Sequence, residues 1–311
     1  MKKALAAILL TGLVCGAAFG MTAGADELDA TGLKIGATFQ DLSNEFVSMM
    51  AEALISHAEA IGAEIIPLDG QGSAENQLQQ VETFITDGCD AIILNPYDAT
   101  GCVPCVKAAA EAGIPIVVVN AIVDNLDEAT GYVGGDTVDS ARIETRYMAE
   151  QLGGEGKVVV IQGPLAHSAM FDRLQGMEEV LEEYPDIEVV AEDTANWSRE
   201  EALVLMENWL QSDLEFDGVI AQNDEMAIGA LKAIQAAGLQ DQILVAGIDA
   251  IADAIPMVEN GDLICTVFQD AVGQGEGAVD MAVRAAQGEE VENEELIPYL
   301  LITKENVDDF K

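Results

Sequence analysis

Short runs of β-branched apolar residues alternate with longer amphipathic segments from residue 33 onward. Each short run is nearly continuous in Val and Ile, which is typical of strands buried in a parallel sheet. The longer segments repeat apolar residues at spacings of three and four, which predicts helices. The predicted strands are residues 34–39, 63–68, 91–95, 116–120, 157–162, 188–192, 218–222 and 243–248, and the predicted helices include 44–61, 74–86, 140–152, 169–184, 199–211 and 225–237.

This alternation predicts an α/β fold of doubly wound parallel sheets with helices on both faces. The strands are too many for one sheet, and residues 132–136 interrupt the rhythm, so we predict two similar lobes. The runs 263–269 and 299–303 would cross back between the lobes, giving a hinge of three crossovers. We predict an N-terminal lobe of residues 33–135 plus 270–298 and a C-terminal lobe of residues 136–269 plus 299–311.

Residues 1–25 have the features of a secretory signal peptide. Two lysines precede an apolar run at residues 4–10, and Ala-Gly-Ala follows at 23–25. A membrane-spanning helix needs about 20 uninterrupted apolar residues, and this run is broken at Thr11 and Gly12. We therefore predict export across the inner membrane to the periplasm or cell surface. A lipid anchor at Cys15 is not favoured, because no small residue precedes it at the position that such processing requires.

The chain has 13 Lys and Arg against 56 Asp and Glu, a formal net charge of -43. Nucleic acid is excluded as a partner, because almost nothing in this composition could neutralise its phosphates. Strong acidity is consistent with solubility outside the cell. It indicates little about a ligand.

Four cysteines follow the predicted signal peptide, and Cys102 and Cys105 have C-x-x-C spacing at a predicted helix start. This spacing is compatible with a redox site, a local disulfide or free thiols. A zinc site is not predicted, because no second C-x-x-C or pair of histidines completes the ligand set.

No catalytic motif is found in the sequence. The glycine-rich segment at 153–157 is followed by Val158, where a phosphate-binding loop needs Ser or Thr for magnesium. The chain has only His57 and His167, and no G-x-S-x-G or H-E-x-x-H. We predict neither an enzyme nor a cofactor.

Polar and aromatic side chains instead accumulate where predicted strands end. In open sheets ligands bind beyond the carboxyl ends of strands, so two such edges facing each other would form a closable cleft. Sugars suit this mixture, because carboxylate, amide and guanidinium groups bind hydroxyls while an indole packs on the ring. The residues concerned are Asn120, His167, Arg173, Trp197, Asn223, Asp249 and Gln269.

Most of these residues also have a structural interpretation. Asp249 would cap the following helix, and Asn223 would stabilise a tight turn. Trp197 would pack over the domain edge, and His167 would lie in a surface loop. Arg173 is harder to explain structurally, because a cation on the first turn of a helix opposes the helix dipole unless a ligand or an aspartate compensates it.

The segment 221–231, AQNDEMAIGAL, resembles the ligand-binding strand and helix of the ribose receptor almost residue for residue. Further matches are IILNP at 92–96, AGIPIV at 112–117, VAGID at 245–249 and TVFQ at 266–269. The chain is thus similar, over nearly all of its predicted mature length, to the type I periplasmic binding proteins, the ribose, galactose and glucose receptors of bacterial ABC importers. The resemblance implies capture of a monosaccharide or polyol by hinge closure and its delivery to a membrane permease.

The resemblance also implies a set of ligand contacts. In the first lobe the match is less complete: Asn44 and Phe46 stand where the ribose receptor has Asn-Pro-Phe-Phe, and Asn120 stands where it has Asp. Asn120, His167 and Trp197 agree with the galactose and glucose receptor, whose calcium loop has no counterpart here. A pyranose or cyclitol is therefore predicted, and no metal. The implied ligand-binding residues are Asn44, Phe46, Asn120, His167, Arg173, Trp197, Asn223, Asp249 and Gln269.

Three alternatives remain open. A ligand-responsive repressor shares the implied fold, but a signal peptide stands where DNA-binding helices would be. An extracytoplasmic enzyme would convert its ligand rather than return it unchanged. A sensor would keep the binding role and present the closed form to a chemoreceptor or sensor kinase. Asp41 and Glu45 would either add acceptors to the rim of the first lobe or be solvated acids at a helix start.

Overall fold

A computed structural model describes residues 28–212 and 214–311. The predicted signal peptide and Cys15 lie outside the described residues. Across these two ranges the strands form two six-stranded sheets. The first sheet contains β1 (Lys34–Phe39), β2 (Glu64–Asp69), β3 (Ala91–Leu94), β4 (Ile116–Val119), β5 (Gly131–Gly134) and β11 (Glu294–Leu296). The second contains β6 (Glu155–Gln162), β7 (Asp186–Thr194), β8 (Gly218–Ala221), β9 (Leu244–Asp249), β10 (Cys265–Phe268) and β12 (Leu300–Thr303).

The helices begin and end where local chemistry satisfies their free backbone groups. Asn44, Ser73 and Ser198 each accept a hydrogen bond from a backbone N–H in the first turn of the helix that follows. Helix α3 ends at Gly113, whose φ of 71° lies in the left-handed region that glycine adopts without strain. The helices are α1 (Glu45–Ala60), α2 (Ala74–Thr86), α3 (Val103–Ala112), α4 (Thr137–Gln151), α5 (Ser168–Leu181), α6 (Arg199–Gln211), α7 (Asp224–Ala236), α8 (Ala254–Asn260) and α9 (Ala271–Ala286).

Both sheets have the same strand order. The first is β2-β1-β3-β4-β5-β11, with every pairing parallel, and the second is β7-β6-β8-β9-β10-β12, in which only β12 is antiparallel. This 2-1-3-4-5 order is doubly wound, and its direction reverses beside the first strand, where such sheets bind ligands. The predicted fold class is confirmed.

Three predicted features are corrected by the structure. The segment 132–136 was predicted as an interruption, but its first three residues belong to strand β5 (Gly131–Gly134), which lies between β4 and β11 with Tyr132 and Val133 buried. The runs 263–269 and 299–303, predicted as crossings, form β10 and β12 within the second sheet. The chain passes between the sheets just beside them, at residues 135–136, 269–270 and 297–299, so three crossovers exist among the described residues.

We propose that the lobe boundaries are residues 33–135 plus 270–298 and residues 136–269 plus 299–311. We use the terms first lobe and second lobe for these two parts. The packing of α9 supports this division, since it lies against α1 and against strands β3, β4 and β5 although it follows β10 in the chain. Helix α4 packs against α5, β9 and β10, and so belongs with the second sheet.

The cysteines in the described part of the chain, Cys89, Cys102, Cys105 and Cys265, are all free and buried. Of the alternatives for Cys102 and Cys105, free thiols are therefore what the structure contains. Cys102 precedes α3 and its Sγ donates to Oε1 of Gln77 at 3.3 Å. A hydrogen bond from Cys105 lowers the pKa of Cys102, while that same bond and burial raise the pKa of Cys105. Among the described helices, none is long and apolar enough to cross a bilayer.

Candidate functional site

The carboxyl ends of strands from both sheets meet at one cavity between the lobes. All nine residues predicted from the sequence line it: Asn44, Phe46, Asn120, His167, Arg173, Trp197, Asn223, Asp249 and Gln269. Gln40, Val47, Thr137, Ala169 and Tyr299 line it as well.

Arg173 organises the side of the cavity that belongs to the second lobe. Its guanidinium donates to the backbone oxygen of Gln222, to Oε1 of Gln269 at 3.0 Å and to Oδ1 of Asp249 at 3.5 Å. The side chain is buried, and its Nε has no partner among the described residues. It lies on the second turn of α5 rather than the first, because the helix begins at Ser168. The sequence predicted that a ligand or an aspartate would compensate the charge of Arg173, and Asp249 is that aspartate.

Asp249 ends β9 in a strained backbone conformation, with φ of 125°. The cap interpretation is wrong, because α8 begins only at Ala254 and Asp253 occupies its cap position. Burial raises the pKa of Asp249 above its ordinary value, and the neighbouring guanidinium of Arg173 lowers it again, so the carboxylate is paired with that cation. The structure thus holds a buried acid against a buried cation at the carboxyl edge of the sheet.

His167 connects the two lobes and is not a surface residue. It caps α5, since its Nδ1 accepts from the backbone N–H of Ala169 at 3.2 Å. Its Nε2 therefore carries the proton and donates to Oε1 of Gln40, in the first lobe, at 2.8 Å. Burial, together with Arg173, lowers the pKa of His167 to about 3. The ring is neutral at physiological pH and acts as a fixed hydrogen-bonding group.

Trp197 provides an aromatic wall. Its backbone is left-handed, with φ of 60°, just before α6. The guanidinium carbon of Arg173 lies 5.6 Å from the indole centroid, and the ring of His167 meets it edge-on at 5.4 Å. Gly163 allows this placement, because a β carbon there would collide with the indole.

Three asparagines on the cavity wall have structural bonds that fix their orientation. Asn44 and Asn223 cap α1 and α7 through Oδ1, at 3.2 Å and 3.0 Å from the N–H groups they accept. Asn120, with φ of 69°, donates from Nδ2 to Oε1 of Gln274 and accepts from Asn95, at 3.2 Å and 3.3 Å. Asn223 therefore has a structural role, as the N-cap of α7 rather than in a tight turn, and this role coexists with a position on the cavity wall.

Direct contacts between the lobes surround the cavity. The N–H of Ala99 donates to the oxygen of Ala166 at 3.1 Å, and the N–H of Ile122 donates to Oγ of Ser168 at 3.0 Å. On another side, the N–H of Ala252 donates to Oε1 of Glu45 at 3.2 Å. The structure is therefore a closed form, in which both lobes cover the cavity.

An outer cavity lies beside the inner one and shares Gln40, Asn44 and Trp197 with it. Its wall includes Asp41 and Glu45, the pair that the sequence left undecided, and several further acids. Glu45 lies 4.0 Å from Arg199, which also pairs with Glu225 and Asp253. Asp41 and Glu45 therefore belong to the rim of the first lobe.

Three polar lining residues were missed from the sequence: Gln40, Thr137 and Tyr299. Gln40 directly follows β1, so the rule that ligands bind at carboxyl ends of strands would have found it. Thr137 and Tyr299 lie beside the first and third crossovers, where no local pattern in the sequence marks a cavity.

The charge of the inner cavity is balanced by one cation, Arg173, and one acid, Asp249, while the remaining polar walls are amides, hydroxyls and a neutral imidazole. Across residues 28–212 and 214–311, no group of three His, Cys, Asp or Glu side chains could hold a metal ion. The arrangement is thus suited to a guest that is itself neutral and rich in hydrogen-bonding groups.

A model of the periplasmic binding protein domain matches residues 35–290, and the chain belongs to that family. A crystal structure of an ABC transporter solute-binding protein from Bacillus halodurans with bound myo-inositol is 42% identical and superimposes with a TM-score of 0.88, covering 91% of this chain and 98% of that one. A candidate rhizopine-binding protein from Rhizobium meliloti is 40% identical over 89% of this chain and 92% of its own length. A xylitol-binding protein from Mycolicibacterium smegmatis is 38% identical over 88% of this chain and 78% of its own length.

These findings confirm the resemblance drawn from the sequence and the function that it implies. The chain is a solute-binding protein of the sugar ABC importers. The family consists of binding proteins and not of enzymes, so the enzyme alternative is set aside.

Proposed function

We propose that this protein captures a neutral polyol, preferably a cyclitol such as myo-inositol, and delivers it to an ABC permease. The observation that carries the proposal is the charge balance of the inner cavity, in which Arg173 is compensated by Asp249 within the protein. A ligand with its own carboxylate or phosphate would leave one buried charge unpaired, which is costly.

The walls of the cavity suit a ring that carries hydroxyl groups all round. Asp249 and the amides of Asn223 and Asn120 offer acceptors and donors, while Trp197 and Phe46 offer apolar faces. Myo-inositol, which is bound in the Bacillus halodurans structure, and xylitol, after which the Mycolicibacterium smegmatis protein is named, are polyols without a carbonyl group. A sugar ring, by contrast, contains an anomeric centre and a ring oxygen, so it does not carry equivalent hydroxyl groups at every position.

We assign ligand contact to the nine residues predicted from the sequence. Asn223 has its Oδ1 engaged by α7, so its Nδ2 is the group available for a hydroxyl. His167 donates to Gln40 when the lobes are closed, and so contributes to closure as well as to the wall. Micromolar affinity requires about 8 kcal/mol, and bonds to charged groups contribute about 1.5–3 kcal/mol each, so Arg173 and Asp249 would supply much of it.

The cellular setting is part of the proposal. We assign residues 1–25 to a signal peptide that directs the protein to the periplasm or cell surface without a lipid at Cys15. The closed form would be recognised by the permease. Recognition of the closed form by a chemoreceptor or sensor kinase is the alternative function. N-terminal sequencing of the exported protein tests the first point, and cleavage just before Cys15 would contradict it.

The test of ligand class is isothermal titration calorimetry with myo-inositol, xylitol, D-ribose, D-galactose and myo-inositol 1-phosphate. We expect one-to-one binding, tightest for myo-inositol, and at least about 100-fold weaker binding of the phosphate, which brings a charge that the cavity does not compensate. Equal or tighter binding of the phosphate would contradict the neutral-guest proposal.

A pair of variants locates the site. Asp249→Ala should abolish most of the binding, whereas Asp253→Ala, which removes an acid at the outer rim, should leave it within about threefold. Equal losses in both variants would place the binding site elsewhere.

A further inference from the structure

The three crossovers that join the lobes each bring one polar side chain to the inner cavity. Thr137 follows the first crossover, Gln269 begins the second, and Tyr299 lies on the third, between β11 and β12. The floor of the cavity is therefore built from the same segments that must bend when the lobes open. Of these three side chains, only Gln269 was expected from the sequence.

Tyr299 is held firmly in this position. Its side chain is 6% exposed, and its ring lies so close to Gly135, on the first crossover, that a β carbon there would collide with it. The first and third crossovers are thus packed directly against each other. This packing fixes the orientation of the tyrosine ring.

The hydroxyl of Tyr299 is buried, and no described residue lies within 3.5 Å of it in hydrogen-bonding geometry, although Arg173 and Thr137 lie near enough to act on its pKa, which burial raises and they lower. The Nε of Arg173, on the same cavity wall, is also buried and has no hydrogen-bond partner among the described residues. A buried polar group without a partner destabilises a protein by roughly 1–3 kcal/mol, and a ligand hydroxyl in the cavity would offset this cost for both groups. A hydroxyl oxygen of a ligand can accept from both, and a phenol can also donate to or accept from it.

We propose that Tyr299 is a ligand-contacting residue whose hydroxyl bonds one hydroxyl group of the polyol, and that it selects ligands carrying a hydroxyl at that position. This inference rests on the proposed function. Because Tyr299 belongs to a crossover, the same bond ties the guest to the hinge.

The test replaces only the hydroxyl. Tyr299→Phe keeps the ring against Gly135 and removes the unpaired group. We expect its affinity for myo-inositol to fall roughly tenfold, the loss of about one hydrogen bond. We also expect the ligand-free variant to melt at the same or a higher temperature than the natural protein, because an unsatisfied buried hydroxyl has been removed. A purely structural hydroxyl would lower the melting temperature instead.

A ligand series makes the assignment specific. Calorimetry with monodeoxy-inositols should identify one analogue that the natural protein and Tyr299→Phe bind equally, because that analogue lacks the group with which Tyr299 bonds. Tyr147→Phe, which removes a tyrosine hydroxyl from helix α4 outside the cavity, is the matched control and should leave every affinity unchanged.

The outcomes are distinguishable. If the natural protein binds polyols and Tyr299→Phe binds all of them as tightly, the inference about Tyr299 is wrong and the proposed function stands. If Tyr299→Phe weakens every analogue by the same factor, selection through this hydroxyl is likewise wrong. A natural protein that binds none of these polyols overturns the proposed function, and this inference with it.

Discussion

The two lobes have the same strand order but bury very different side chains. Among the described residues, the buried Asp, Glu and Arg side chains all belong to the second lobe: Glu144, Arg173, Asp224 and Asp249. The first lobe buries amides and hydroxyls at the equivalent edge, as at Gln40, Asn95 and Asn120. One half of the cavity is therefore charged and rigidly held, while the other is neutral.

This difference suggests a division of labour. Fixed charges in a dry wall form the strongest hydrogen bonds to hydroxyls, so the second lobe should supply most of the affinity. Amides bond a guest more weakly, but the first lobe touches it only when the cleft is shut. Closure can be driven only by contacts that exist in the closed state, among them the bond from His167 to Gln40. The first lobe should therefore govern closure more than initial capture.

The largest effect is expected from the charged wall. Asp249→Ala removes the acceptor from the ligand and leaves Arg173 without its carboxylate partner. We expect affinity for myo-inositol to fall at least about 100-fold, as bonds to charged groups are worth about 1.5–3 kcal/mol each and an unpaired charge adds to the loss. Calorimetry measures the affinity, and circular dichroism checks that the fold is kept. A loss below about threefold would remove Asp249 from the site.

The buried acids predict a pH dependence of stability. Burial raises the pKa of Asp224 to about 7, and it raises that of Glu144 as well. An acid with a raised folded-state pKa stabilises the protein fully below its ordinary pKa, and that stability is lost as pH rises through the folded value. His167, with its lowered pKa, acts oppositely, but its contribution is lost only as pH falls below about 6.5.

Between pH 6.5 and 8 the ionisation of the buried acids therefore determines how stability changes with pH. The free energy of unfolding should decrease by on the order of 2 kcal/mol over this range. Urea denaturation at several pH values measures this. Glu144→Gln is the comparison variant, because it keeps the shape and cannot ionise, and its curve should fall less steeply. Stability that rises across this window would contradict the protonation of these groups in the fold.

A smaller effect is expected from the aromatic wall. Gly163→Ala adds a β carbon where the indole of Trp197 lies, so the ring must move. We expect roughly tenfold weaker binding, comparable to the loss of one stacking contact. Trp197→Leu should weaken binding by a similar factor, and the double variant should be no worse than Trp197→Leu alone. Additive losses would show that Gly163 acts through something other than Trp197.

The smallest effect is expected from the neutral lobe. Asn120→Ala removes an amide that is already bonded to Asn95 and Gln274, and we expect a loss of about three- to tenfold. Stopped-flow fluorescence should attribute it mainly to faster dissociation, because contacts of the first lobe form only on closure. A loss as large as that of Asp249→Ala would remove the distinction between the lobes.

The sequence predicted much of the fold and of the site for identifiable reasons. Strands such as β1 and β9 are buried on both faces, so each can be recognised in the sequence as a short, nearly continuous run of apolar residues. Asn223 and Asp249 follow such strands directly, and the topology of doubly wound sheets brings those positions to one edge. Their residue types, together with the family resemblance, then identified a sugar-binding cleft.

What the sequence missed depends on tertiary context. Strand β5 has two glycines in four residues and becomes a strand because β4 and β11 flank it. Strands β10 and β12 were recognised as apolar runs, but the sheet to which each belongs is fixed only by packing. Tyr299 lies on a crossover whose path depends on both lobes, so no periodicity points to its place in the cavity.

A crystal structure of the protein grown with myo-inositol is the most direct test of the inner cavity as the binding site. We expect one ring in this cavity, with its hydroxyl oxygens within about 3.2 Å of Asp249, Arg173 and Asn223 and one face against Trp197. Electron density for the polyol only in the outer cavity or on the exterior, with the inner cavity filled by water, would contradict it.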